Sequence, residues 1–114
     1  MDLNDLSAEI RQFSAEREWE ISHTPKNLAM ALSVESAELL EIFQWLTPEQ
    51  SAKLPTDKLA AARDEIGDVM ICLVNLAMKL GIDPLEAAQQ KLVKIRAKYP
   101  IDRAKGLAKK YDEI

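Results

Sequence analysis

Apolar residues recur at helical spacing along almost the whole chain. Leu3, Leu6, Ile10, Phe13 and Trp19 alternate with charged and polar positions, which predicts a first helix from about Leu3 to near Ile21. Ser22-His23-Thr24-Pro25 then predicts a turn. Thr24 can cap the next helix, and Pro25 fits its first position, where no intrahelical donor is needed. The stripe Leu28, Leu32, Leu39, Ile42 and Leu46 predicts a second helix from about Lys26 to Leu46. Thr47-Pro48-Glu49 repeats the cap-and-proline signal for a short helical turn, which Leu54-Pro55 breaks. Thr56 or Asp57 offers a cap for a third helix to about Leu80, with Gly81 as its stop. Asp83-Pro84-Leu85-Glu86 opens a fourth helix to about Lys98, and Tyr99-Pro100 ends it. The tail from 101 to 114 is polar and basic, with room for one loose turn near Leu107.

Composition narrows this to an all-α chain. Only 3 glycines and few β-branched clusters interrupt the helical pattern. At 114 residues the chain is expected to form one domain, residues 1–114, with a real core and something to gain from oligomerisation. A formal net charge of −4 lacks the basic footprint that general nucleic-acid binding needs. The single cysteine, Cys72, excludes a disulfide within the chain and suits a reducing cytoplasm. The N-terminus, Met-Asp-Leu-Asn-Asp-Leu, has no uninterrupted apolar region of the kind a signal peptide carries. The longest apolar stretch, Val69 to Met78, lies between Asp68 and Lys79 and is broken by Asn75; it predicts a buried core helix, not a membrane span.

The candidate chemistry lies in two acidic steps, Glu35-Ser-Ala-Glu38 and Glu65-Ile-Gly-Asp68. Residues at i and i+3 share one face of a helix, one turn apart. Glu35 and Glu38 fall beside the stripe of the second helix, and Glu65 and Asp68 sit among Ala61, Ala62, Val69 and Cys72. All of these carboxylates are therefore expected to lean towards the bundle interior. Like charges in a partly buried pocket repel, and desolvation neutralises them unless a cation compensates. A hard dication with oxygen ligands, Mg²⁺ or Mn²⁺, answers that need. The plainer alternative is a pair of solvated helix faces making i,i+4 ion pairs. Between Lys91 and Lys110, eight basic residues face the single acid Asp102. That basic run is either a solvated face or a source of cations for a polyphosphate.

These residues also carry a resemblance. Phe13, Glu16, Arg17, Trp19, His23, Pro25, Lys26, Asn27 and Leu28, then Glu35, Glu38, Leu39, Glu41, Phe43, Gln44 and Trp45, then Asp64-Glu65-Ile66-Gly67-Asp68-Val69 and Tyr99-Pro100, form a framework over roughly Leu3 to Gly106. It resembles the MazG-like all-α nucleoside triphosphate pyrophosphohydrolases, and within them the single-domain group that includes the dCTP pyrophosphatases. The resemblance implies a four-helix bundle assembled into dimers or dimers of dimers, with a homotetramer expected. It implies hydrolysis of a nucleoside triphosphate, preferably a dNTP, to the monophosphate and pyrophosphate, a house-cleaning reaction.

Carried over by position, Glu35, Glu38, Glu65 and Asp68 would hold Mg²⁺, with Mn²⁺ as a substitute. One of them, or Glu41, would deprotonate the attacking water. Phe13, Trp19, His23, Trp45 and Cys72 fall at positions of the base and sugar pocket, where aromatic faces stack a base. Lys26, Lys91, Lys94, Lys98 and Tyr99 are the phosphate-binding candidates. The chain departs from its relatives at Ile95, where an Asn is common, at Cys72, where an aromatic residue is common, and at Lys98, where Arg is common. No nucleic-acid polymer and no membrane is expected as a partner.

Three other readings compete. A non-catalytic helical oligomerisation module would use the carboxylates as surface charge and the tryptophans as core. Phosphoribosyl-ATP pyrophosphohydrolase would share the metal site but not the Trp19 and Trp45 pocket. A di-iron bundle would want Glu-x-x-His on its helices, whereas the only histidine, His23, lies in a turn.

Overall fold

The computed structural model describes all 114 residues, and every regular element in it is helical. Contacts divide the chain into two compact units, Met1–Gly81 and Ile82–Ile114.

The first unit holds α1 (Leu3–Glu16), α2 (Pro25–Phe43), the single turn α3 (Pro48–Ser51) and α4 (Thr56–Lys79). Most of the starts follow the caps written in the sequence. Asp2 accepts from the backbone N–H of Asp5, and the Asp5 carboxylate accepts from the N–H of Asp2, a reciprocal box that opens α1. Thr24 caps α2 ahead of Pro25, and Thr47 with Gln50 boxes α3 ahead of Pro48. The start of α4 differs from expectation. Neither Thr56 nor Asp57 caps it; both lie inside the helix, and Pro55 occupies the cap position without a side-chain hydrogen bond.

The first helix also stops earlier than the apolar spacing suggests. It ends at Glu16 and not near Ile21, because the chain turns through a left-handed residue, Glu18, at φ 53°. The Trp19 N–H bonds back to the Ser14 carbonyl at 3.0 Å and the Glu18 N–H to the Ala15 carbonyl at 3.1 Å. This is a Schellman closure, made here without the usual glycine. It places Trp19 and His23 on a connecting segment instead of a helix face. The second helix likewise ends at Phe43, leaving Trp45 and Leu46 in the turn before α3.

Helix α4 packs along α2 and touches α1. The start of α2 meets the end of α4, so the two run antiparallel. Ile10 of α1, Leu28 of α2, and Ala62, Val74 and Ala77 of α4 are buried, together with Ser14 and Asn75. This core is thin, and much apolar surface is left open. Leu59, Ile66, Met70 and Leu73 lie on one side of α4 and are 59, 57, 43 and 42% exposed.

The second unit contains α5 (Pro84–Lys98), the single turn α6 (Ile101–Ala104) and a 3₁₀ turn at Tyr111–Glu113. Asp83 caps α5 through the N–H groups of Leu85 and Glu86. The ordered turns of the tail flank Leu107 and do not include it. Tyr111 is held by an edge-to-face contact with Tyr99 at 6.3 Å and by the Lys98 ammonium 4.7 Å from its ring. No helix is long and apolar enough to cross a membrane.

Candidate active site

Side chains three apart on α2 meet side chains three apart on α4. One carboxylate oxygen from each of Glu35, Glu38, Glu65 and Asp68 lies within 4.8 Å of the other three. Glu35 and Glu65 are half-buried and Asp68 is exposed. The Oε2 atoms of Glu35 and Glu65 are enclosed and have no hydrogen-bond partner. No lysine or arginine forms an ion pair with any of the four; the one salt bridge of the chain joins Arg17 to Glu16 at its surface.

The electrostatic cost is visible in the acidities. Glu35 is raised to about 7, first by a hydrogen bond that its protonated form shares with Glu38, then by burial and by the charges of Glu38, Asp68 and Glu65. Burial, followed by the charges of Glu38 and Asp68, also pushes Glu65 up. Enclosed, unpartnered carboxylate oxygens fit a small hard cation. A dication with oxygen ligands at about 2.1 Å places opposite ligands about 4.2 Å apart, close to the spread seen here. The ion-pair alternative for these helix faces finds no support in the structure.

A cavity of about 430 Å³ opens beside the cluster. Ala31 and Cys72 line it, one turn from Glu35 on α2 and one turn from Asp68 on α4. The cavity and the carboxylates are thus consecutive turns of the same two helices, about 6 Å apart along the axes. Phe13 and Trp19 form its aromatic wall, edge-to-face at 5.5 Å and 77°. His23 meets Trp19 edge-on at 6.1 Å. The Arg17 guanidinium caps the Phe13 ring at 3.7 Å. Burial and the charges of Glu35 and Asp68 raise the Cys72 thiol above its ordinary range.

Of the pocket residues expected from sequence, Phe13, Trp19, His23 and Cys72 line this cavity. Trp45 does not: it is 87% exposed in the turn after α2. Glu41 lies on the exposed side of α2, outside the four-carboxylate group, and Lys26 is exposed at the start of that helix. Lys91, Lys94, Lys98 and Tyr99 belong to the second unit. Asn27, part of the framework that carries the resemblance, also lines the cavity, whereas Ile71 and Asn75 were not anticipated there. Of those two only Asn75 had a signal, a lone amide inside the apolar run Val69–Met78.

Comparison with known proteins agrees with this geometry. The MazG-like family profile matches residues 30–114. The chain is 37% identical to dCTP pyrophosphatase 1 of Mus musculus, over 98% of this chain and 67% of that protein. It is 38% identical to dCTP pyrophosphatase 1 of Homo sapiens over the same shares. A crystal structure of a pyrophosphatase from Archaeoglobus fulgidus superposes with a TM-score of 0.81 at 40% identity, covering 85% of this chain and 91% of that one. With its paired acidic steps on facing helices, the chain belongs to the MazG-like family.

Proposed function

We propose that this protein hydrolyses nucleoside triphosphates, dNTPs in first place, to the monophosphate and pyrophosphate. The observation that carries the reading is the continuity of an unpaired carboxylate cluster with an apolar, aromatic-walled cavity one helical turn away. The cavity has the size of small-molecule sites in general, and a base stacked on Trp19 would leave its phosphates near the acidic end. The dCTP pyrophosphatases among its relatives support the same reading.

Glu35, Glu38, Glu65 and Asp68 are the residues that would hold Mg²⁺, or Mn²⁺ in its place. Bound there, the dication supplies charge neutralisation for the phosphates and a lower pKa for water. One of these four carboxylates, or the exposed Glu41 beside them on α2, would accept the proton of the attacking water. No side-chain nucleophile is needed, and the Cys72 thiol, held protonated, offers none. Lys26 is a candidate cation for the outer phosphate oxygens. Lys91, Lys94, Lys98 and Tyr99 of the second unit remain candidates for the same task.

The proposal extends to assembly and place. The exposed stripe Leu59, Ile66, Met70 and Leu73 supports a MazG-like bundle completed by a second copy, as a dimer or a dimer of dimers. A free thiol suits the cytoplasm. The deciding assay is pyrophosphate release from the four dNTPs and four NTPs, with Mg²⁺ and with EDTA. Mg²⁺-dependent release, strongest with one or more dNTPs, is the expected result. No release from any of the eight would refute the reading.

A further inference from the structure

Asn75 is 8% exposed about one turn from the C-terminal end of α4, and its side chain is the only polar one among the buried residues of that helix. Its Nδ2 lies 3.3 Å from Nδ1 of His23, a residue 52 positions away in the chain. Both residues line the cavity, whose walls are otherwise mainly carbon. With the carboxamide turned this way its nitrogen can only donate, which makes Nδ1 of His23 the acceptor. An imidazole that accepts at Nδ1 is neutral and carries its proton at Nε2. The ring also meets Trp19 edge-to-face at 6.1 Å, and the turn that carries it is closed by the His23 backbone N–H, which donates to the Glu20 carbonyl at 3.2 Å.

We propose that Asn75 is a positioning residue for base recognition: it holds His23 in the Nε2–H tautomer, so that the ring offers an N–H donor, not an acceptor, to the acceptor edge of a nucleobase, a carbonyl oxygen or an unprotonated ring nitrogen. The inference rests on the reading of the cavity as the base site and adds what gives it direction. Stacking against Trp19 accepts any base in any in-plane rotation. One donor of fixed polarity in an apolar wall selects a rotation, because a base presenting its own donor there would leave two N–H groups facing each other without acceptors. Without Asn75 the ring is free to place its proton on either nitrogen, and the edge it shows the ligand changes between donor and acceptor.

His23 is the only histidine of the chain, so long-range ¹H–¹⁵N spectra of the uniformly labelled protein report its tautomer directly. In the full-length, ligand-free protein, at a pH where the ring is neutral, the expected spectrum shows Nε2 protonated and Nδ1 bare. Asn75→Ala removes the donor and is expected to move both nitrogens towards the averaged values of exchanging tautomers. Asn75→Asp replaces the donor with an acceptor and is expected to put a proton on Nδ1. A wild-type spectrum with Nδ1 protonated, or variant spectra unchanged from wild type, would overturn the proposal.

None of these spectra needs a nucleotide, so they stand or fall separately from the hydrolase reading, which pyrophosphate release by the unaltered protein tests. Where release is observed, Asn75→Ala should raise KM about tenfold with kcat little changed, the mark of lost binding and orientation. An equal loss in kcat at constant KM would place Asn75 outside base recognition.

Discussion

Asp68 and Cys72 stand one turn apart on α4, so the acidic cluster and the apolar cavity share a wall. The thiol is held protonated by burial and then by the charges of Glu35 and Asp68. Cys72 should therefore react with iodoacetamide at pH 8 several-fold more slowly than a free thiol such as glutathione, since only the thiolate attacks. A nucleotide that fills the cavity should slow it further. Reaction at the rate of an exposed cysteine, unaffected by nucleotide, would detach Cys72 from the site.

Glu38 shares the hydrogen bond that raises Glu35 and adds charge beside Glu65. Glu38→Gln keeps the shape but removes one anionic ligand from the group. Turnover should fall by at least about 100-fold, while far-ultraviolet circular dichroism and the metal-free melting temperature stay at or above the wild-type values. Wild-type activity in this variant would exclude Glu38 from metal binding.

The end of α1 shows how far the sequence could be read. Helix starts were legible because each of Thr24, Thr47 and Asp83 stands before a proline, and that pairing has one local meaning. The two acidic steps were legible for a similar reason, as period and spacing alone place Glu35 with Glu38 and Glu65 with Asp68. The stop at Glu16 was not, because the left-handed position is filled by Glu18 and not glycine, and nothing local announces it. The end of α2 was read too late for a similar reason: continuing it to Leu46 keeps Trp45 on a helix, whereas it stands in an exposed turn. The pairing of Asn75 with His23 depends on a contact between distant segments, which no periodicity reports.

Strain at Glu18 also makes a stability prediction. A non-glycine residue in the left-handed region costs about 1 kcal/mol, which glycine avoids. Glu18→Gly should raise the melting temperature by a few degrees without moving Trp19, provided the Schellman bonds to Ser14 and Ala15 persist. A lower melting temperature would mean that the Glu18 side chain supports the turn in another way.

The exposed apolar side of α4 predicts assembly. Ile66 lies centrally in the stripe with Leu59, Met70 and Leu73 and is itself more than half exposed. Ile66→Lys would place a charge where apolar surface is to be covered, at a cost of several kcal/mol of association free energy. Sedimentation should show the wild type as a dimer or tetramer and the variant as a smaller species. A monomeric wild type would leave the stripe without a function.

The acidities fix the sign of a pH effect. Glu35 binds its proton more tightly in the folded protein, with a pKa of about 7, than in the unfolded chain, near 4.5. Its contribution to stability is therefore fully present below about pH 4.5 and is lost as pH rises through 7. Glu65 is shifted in the same direction. Metal-free protein should accordingly melt at a lower temperature at pH 8 than at pH 6. Mg²⁺ binds the ionised carboxylates, so its stabilising shift should be small at pH 6 and larger at pH 8. In Glu35→Gln both effects should shrink together: the metal-free protein loses the Glu35 share of its pH dependence and keeps that of Glu65, and the Mg²⁺ shift becomes smaller. Thermal scans of the two proteins at pH 6 and 8, with Mg²⁺ and with EDTA, measure all of this at once. An Mg²⁺ shift in the variant equal to that of the wild type would show that Glu35 is no ligand, whatever its acidity.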